Sequence, residues 1–159
     1  MTDIVITIDS AAIEAILARL AEKSTNLQPA LNAIGSEIAA NIQLCFANGR
    51  SPDGIPWQAL SPVTIARRRQ NSSQPLLDTG RLAGSITHTV TGDGVEIGTN
   101  VIYAALMNFG AKQGAFGKTK RNAPIPWGNI PARPFMPKDT LPGDWEADII
   151  ALLERNFST

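Results

Sequence analysis

The stretch LQPALNAIGSEIAANIQLCFANG, residues 27–49, decides the architecture. Within it Leu27, Leu31, Ile34, Ile38, Ile42 and Cys45 step by four, three, four, four and three, which is the spacing of one helix face. Pro29 suits a first helical turn, where the missing amide hydrogen has no partner to lose, and Thr25 with Gln28 has capping-box spacing. Asn48-Gly49 ends the helix, because glycine tolerates the left-handed conformation that follows a last turn. A stripe this long needs an apolar surface to cover. Cys45 lies on the stripe and reads as a small core residue rather than a reactive thiol.

Upstream, Asp3 to Ile8 alternates with Ile4, Ile6 and Ile8 on one face, which predicts a short strand. Asp9 or Ser10 caps a first helix whose inward stripe is Ile13, Ile16, Leu17 and Leu20. Downstream of Gly49 the chain is a loop to Ser61, anchored to the core by Trp57 and Leu60. Ser61-Pro62 opens a short helix that ends in Arg67-Arg68-Arg69. Successive helix residues turn by about 100°, so the three guanidiniums cannot converge on one ligand. They read as a solvated helix end whose cations suit the dipole. Ser85 to Thr91 alternates, with Ile86, His88 and Val90 on one face. Gly92-Asp93-Gly94 is a tight-turn signal and Val95-Glu96-Ile97 resumes the alternation, so a β-hairpin is predicted here. Its face carrying Ile86, Val90 and Ile97 is the surface expected under Leu31, Ile34, Ile38 and Ile42. Val101 to Asn108 reads as a short helix or a strand-to-helix junction, stopped by Phe109-Gly110. Asp144 caps a final helix with Trp145, Ile149, Leu152 and Leu153 inward.

The 159 residues fit one domain, and 43% hydrophobic with 18% charged residues is a folded composition. The single cysteine excludes an internal disulfide. No apolar run approaches the roughly 18 residues of a membrane span, and no basic region precedes the N-terminal strand. The chain therefore reads as soluble, made in a cytoplasm and free of membrane. Net charge is zero, yet Arg67 to Lys138 carries +7 and the two ends together −7. Such blocks either meet an acidic partner or attract each other, within one fold or between copies. Residues 111–133 hold five cations, Lys112, Lys118, Lys120, Arg121 and Arg133, and no acid. A connection this long is usually functional or mobile. Its like charges repel, so it is expected to be an arm, poorly ordered or extended in the free protein and ordered on assembly. Phe109-Gly110 and Pro131 to Phe135 would clamp its ends, and the five cations are the candidate partner-binding residues.

Little else in the sequence carries chemistry. His88 shares a strand face with apolar residues and reads as a half-buried, hydrogen-bonded side chain. No second ligand stands at metal spacing, and no phosphate loop is present, so no cofactor is expected. Leu76-Leu77-Asp78-Thr79-Gly80 looks like the active-site stretch of a retroviral-type aspartic protease, in which two carboxylates share a proton. Against that, Arg81 would hold both carboxylates ionised, the protease fold is almost entirely β, and only two apolar residues precede the motif. In the structural alternative, Asp78 or Thr79 caps a short turn, Leu82 packs inward and Ser85-Ile86 leads into the hairpin. A DNA-contacting role would use the basic middle, with Phe116 and Trp127 as stacking aromatics, but no recognition-helix motif accompanies it.

Several motifs follow one another in a recognisable order: Ser51-Pro52-Asp53-Gly54-Ile55-Pro56-Trp57, Leu60-Ser61, Thr64, Arg67, Leu77-Asp78-Thr79-Gly80-Arg81-Leu82 and Ser85-Ile86. In the second half come Val95-Glu96-Ile97-Gly98-Thr99, Tyr103-Ala104, Asn108-Phe109-Gly110 and Ile130-Pro131-Ala132-Arg133-Pro134-Phe135-Met136. From about residue 30 onward this series resembles the phage virion morphogenesis family, tail-completion and head–tail-joining proteins of tailed phages and prophages. The resemblance implies an α+β fold, with the N-terminal helix pair on a small antiparallel sheet that contains the hairpin, and a C-terminal helix. It implies a non-enzymatic assembly role, often in rings, with head–tail connector or tail proteins as partners. It also implies assembly in the bacterial host cytoplasm, followed by residence in the virion. Asp78, Thr79, Gly80, Leu82, Phe109, Gly110, Pro134 and Phe135 then count as structural motif residues, with no catalytic or metal-binding residue.

Overall fold

The stripe of residues 27–49 forms the central helix of the protein, which a computed structural model describes at residues 10–23, 26–69, 72–92 and 94–157. The strand expected at Asp3 to Ile8, and the caps expected from Asp9 and Thr25, lie outside the described residues. In chain order the elements are α1 (Ala11–Lys23), α2 (Gln28–Asn48), α3 (Pro62–Arg67), α4 (Arg81–Gly84), β1 (Thr87–Thr91), β2 (Gly94–Gly98), α5 (Ala104–Phe109) and α6 (Gly143–Phe157). The fold is α+β.

α2 begins at the proline-bearing turn, where the Gln28 N–H donates to the Asn26 Oδ1 at 3.0 Å. It ends at Gly49, whose φ of +64° places it in the left-handed region. Leu31, Ile34, Ile38, Ile42, Cys45 and Phe46 are buried along its length. The side chain of Gln74 closes the last turn from outside. Its Nε2 donates to the carbonyls of Phe46 at 3.0 Å and Ala47 at 3.3 Å, groups that a helix end leaves without partners.

The hairpin lies under α2 as the stripe requires, and the helix packs on both strands. β1 and β2 pair antiparallel with Thr87 opposite Gly98, His88 opposite Ile97 and Val90 opposite Val95. Among the described residues these two strands make up the sheet. Ile86 and Ile97 are buried and Val90 half-buried against the α2 stripe. The crossing is closest at Gly35, where a Cβ would stand 2.6 Å from His88 Cγ and 2.9 Å from Val95 Cγ1. His88 is half-buried there and its Nε2 is 2.8 Å from Asn32 Oδ1 on the helix above.

The N-terminal helices divide their work. α2 covers the hairpin, whereas the main partner of α1 is α6, which also packs on α2. α1 buries Ile13, Ile16 and Leu20, and α6 buries Trp145, Ile149 and Leu153. The Ser10 hydroxyl accepts from the Ile13 N–H at 3.3 Å, as a helix cap does. Asp144 sits inside the first turn of α6 rather than before it. There its charge still faces the positive end of the dipole. At the far end of α2, Phe46 meets Trp57 edge-on with centroids 5.6 Å apart, and Phe135 at 5.0 Å. Among the described residues no helix is long and apolar enough to cross a membrane.

Candidate partner-binding site

Three loops with little regular structure meet around Arg133, and side chains rather than ladders hold them. α3 is capped by Ser61, whose Oγ accepts from the Thr64 N–H at 3.2 Å. Arg68 then folds back, and its Nη1 donates to the carbonyls of Ser72 at 3.2 Å and Gln74 at 2.6 Å. Arg68 is thus a loop tie, not part of a solvated helix end. Arg67 and Arg69 remain exposed. Trp57 Nε1 donates to the Pro134 carbonyl at 2.7 Å. On α5 the buried Asn108 uses its Oδ1 to accept from the N–H groups of Phe135 at 3.0 Å and Met136 at 3.2 Å.

Arg133 is the structural keystone of this region. It is only 7% exposed, its Nε donates to the Gln58 carbonyl at 2.9 Å, and its Nη2 lies 3.4 Å from the Ala59 carbonyl. Burial first, and the nearby charge of Arg68 second, lower its pKa from the usual guanidinium value. The expectation that Arg133 belongs with the partner-binding cations is therefore corrected. Its charge is committed to two backbone carbonyls of the 58–59 loop.

Around it opens a cleft of about 560 Å³. Leu60, Leu76, Tyr103, Met107 and Ile130 give it apolar walls, and Arg68, Arg81 and Asp78 line it as well. Asp78 and Thr79 are exposed. The turn they precede starts at Gly80, φ +76°, with no side-chain cap, so the cap expected from either residue is not formed. Leu82 is buried as expected. Among the described residues no group of three His, Cys, Asp or Glu could hold a metal ion. Cys45 lies apart on α2, and burial pushes its thiol up to about 11.

From the rim of the cleft an arm runs out and back. Ala111 and Ile130 exchange both backbone hydrogen bonds, at 2.9 and 2.7 Å. Phe116 N–H donates to the Ile125 carbonyl, Ile125 N–H to Gly117, and Thr119 N–H to Ala123, each at 2.8 Å. The like charges do not stop the segment folding back on itself, because backbone pairing and side chains such as Gln113 hold the two limbs. Gln113 Nε2 donates to the Trp127 carbonyl at 2.7 Å. Among the described residues no hydrogen bond links 112–129 to the body.

Lys112, Lys118, Lys120 and Arg121 are exposed on this arm, and among the described residues their charged side chains make no hydrogen bond or ion pair. Phe116 is 61% and Trp127 77% exposed beside them. The clamp at the arm's base differs from the expected one. Phe109 is exposed. Gly110, with φ +70°, lies so close to the returning strand that a Cβ would come within 2.7 Å of Ala132 N. Pro134 contributes its carbonyl and Phe135 is fully buried. Sequence reading missed Arg68, Gln74 and Asn108. Their only signal is a polar side chain close to proline-rich or irregular backbone.

Leu60-Ser61, Thr64, residues 78–82, Tyr103 and Ile130 to Arg133 thus come together at one cleft, with one projecting arm at its rim. A model of the phage virion morphogenesis family matches residues 8–156, and the chain belongs to that family. It is also 32% identical over 148 residues to the "Mu-like prophage FluMu G protein 2" of Haemophilus influenzae (strain ATCC 51907 / DSM 11121 / KW20 / Rd). The alignment covers 91% of this chain and 88% of that protein. No solved structure matches the chain. Family and relative together mark a phage structural or assembly protein.

Proposed function

We propose that the chain is a tail-completion or head–tail-joining component that binds other virion proteins and catalyses nothing. On this reading it assembles as a homo-oligomeric ring in the host cytoplasm and stays in the virion, against head–tail connector or tail proteins. The observation that carries the reading is the arm. A self-paired hairpin that holds Trp127 77% and Phe116 61% exposed, beside four cations whose side chains have no partner among the described residues, presents anchors that a lone subunit has no reason to display. The cleft at its base adds a concave, partly apolar surface.

Catalysis by Asp78 is disfavoured by its setting. It is exposed, it neighbours Arg81, and the described residues contain a two-stranded sheet in place of an almost entirely β framework. The arm's cations would also suit phosphate, and a salt titration against duplex DNA separates that role, since phosphate contacts give a steep slope. The direct test deletes Lys112 to Asn122, rejoins the ends with a short glycine linker, and scores the fold and incorporation into particles. A folded subunit that fails to incorporate is the expected result. Normal particles would overturn the proposal.

A further inference from the structure

A second groove lies between α2 and the start of α6, with a volume of about 290 Å³. Asp144 and Asp148 line it from α6, Asn41 and Leu44 from α2, and Arg50 from the loop beyond. Leu44 is 56% exposed although it belongs to the central helix. Asn41 is only 9% exposed, and its Nδ2 is buried without a hydrogen-bond partner. A buried amide donor in that state is costly and calls for an acceptor.

The arm supplies what the groove lacks. Its tip carries Lys118, Lys120 and Arg121 without counter-charges among the described residues. The groove offers two carboxylates and an exposed leucine. Arg50 opposes the docking charge, but the two carboxylates that line the groove, Asp144 and Asp148, outnumber it there.

We propose that the arm tip of one copy of this chain docks into the α2–α6 groove of the next copy. Lys120 and Arg121 face Asp144 and Asp148, and an arm aliphatic stem covers Leu44 beside them. Donor and acceptor surfaces are different patches, so the contact is head-to-tail and closes into a ring when the rotation allows it. The proposal rests on the oligomeric assembly reading above and names the contact that would build it. It also gives the opposite charge blocks of the sequence a physical use, attraction between copies.

The test uses charge reversal in the full chain, with association measured by sedimentation velocity and folding by circular dichroism. Wild type is expected to self-associate, and to do so less as ionic strength rises from about 0.05 to 0.5 M. The variant Lys120→Glu/Arg121→Glu and the variant Asp144→Lys/Asp148→Lys should each weaken association at least about tenfold while remaining folded. Mixing the two in equal amounts should restore association, because each arm then finds an opposite groove. A monomeric wild type, a reversal that leaves association unchanged, or a mixture that stays dissociated would overturn the proposal. So would an arm reversal that abolishes duplex-DNA binding while leaving the oligomer intact. If the mixture fails but the arm deletion still blocks incorporation, the arm serves another virion protein and the assembly role stands.

Discussion

Gly35→Ala sets two opposite effects against each other at one atom. In an exposed helix interior the change should stabilise by about 0.8–1.0 kcal/mol, because alanine loses less backbone freedom on folding. Gly35, however, is buried under the hairpin, and the new methyl would lie 2.6 Å from His88 Cγ and 2.9 Å from Val95 Cγ1. Overpacking a fitted contact costs about 1–3 kcal/mol. If the His88 ring shifts to make room, the methyl still presses on Val95 and the 2.8 Å contact with Asn32 is lost, a further ~0.5–1.5 kcal/mol. Clash and lost hydrogen bond together outweigh the propensity gain, so a net destabilisation of about 0.5–3.5 kcal/mol is expected. Urea unfolding of the full chain reads this as a lower midpoint at unchanged m. Adding His88→Ala to the same chain should recover part of the loss, since Val95 still presses on the methyl. The pair should therefore couple by about 0.5–3 kcal/mol. A Gly35→Ala protein as stable as wild type would refute the close crossing of α2 and the hairpin.

Four other outcomes follow from the same structure. Ile38, which is fully buried on the α2 stripe, should cost about 2–5 kcal/mol when changed to alanine, again read by urea unfolding; an unaltered midpoint would contradict its place in the core. Arg133→Ala should cost about 1.5–3 kcal/mol by leaving the Gln58 and Ala59 carbonyls without their charged donor, and a neutral result by thermal melting would refute the tie. Asp78→Asn should shift stability by less than about 0.5 kcal/mol, because the carboxylate is exposed and caps nothing; a larger loss would show that it holds the turn after all, and loss of a measurable peptidase activity would overturn the non-catalytic reading. Cys45, buried and raised to about 11, should react slowly with a thiol reagent in the native protein at pH 8 and rapidly in urea, and fast native labelling would show the α2 stripe to be open.

Regular elements were legible because their periods are written in single residues. The steps from Leu27 to Cys45 and the alternation from Ile86 to Ile97 each name a buried face, and the two faces meet as that logic demands. The partner of α1 was not legible, since its stripe of Ile13, Ile16 and Leu20 fits a sheet or a helix equally well. Nor was the division among neighbouring arginines. Arg67, Arg68 and Arg69 look alike in sequence, and only the path of residues 72–77 turns Arg68 inward. Arg133 misled for the opposite reason. It closes a run of same-sign residues in the chain, yet it lies beyond the Ala111–Ile130 pairing that ends the arm, so it belongs to the body.

That boundary explains how the surface is organised. The segments 49–61, 72–80 and 130–137 run without long ladders, so their buried backbone groups must be bonded by side chains or left at a cost of about 1–3 kcal/mol each. Trp57, Arg68, Asn108 and Arg133 all spend their polar atoms on backbone of these segments, and Gln74 ties its own segment to the last turn of α2. The cleft is therefore framed by loops tied to the core, with its shape set before any partner arrives. Beyond the Ala111–Ile130 pairing the arrangement reverses. There the backbone bonds only within the arm, and the side chains of Lys118, Lys120, Arg121, Phe116 and Trp127 remain without partners in the body. The base is fixed, and the projection bearing the cations and aromatics is self-paired. On the proposed assembly role, these exposed side chains are the ones left for contacts with other subunits or virion proteins.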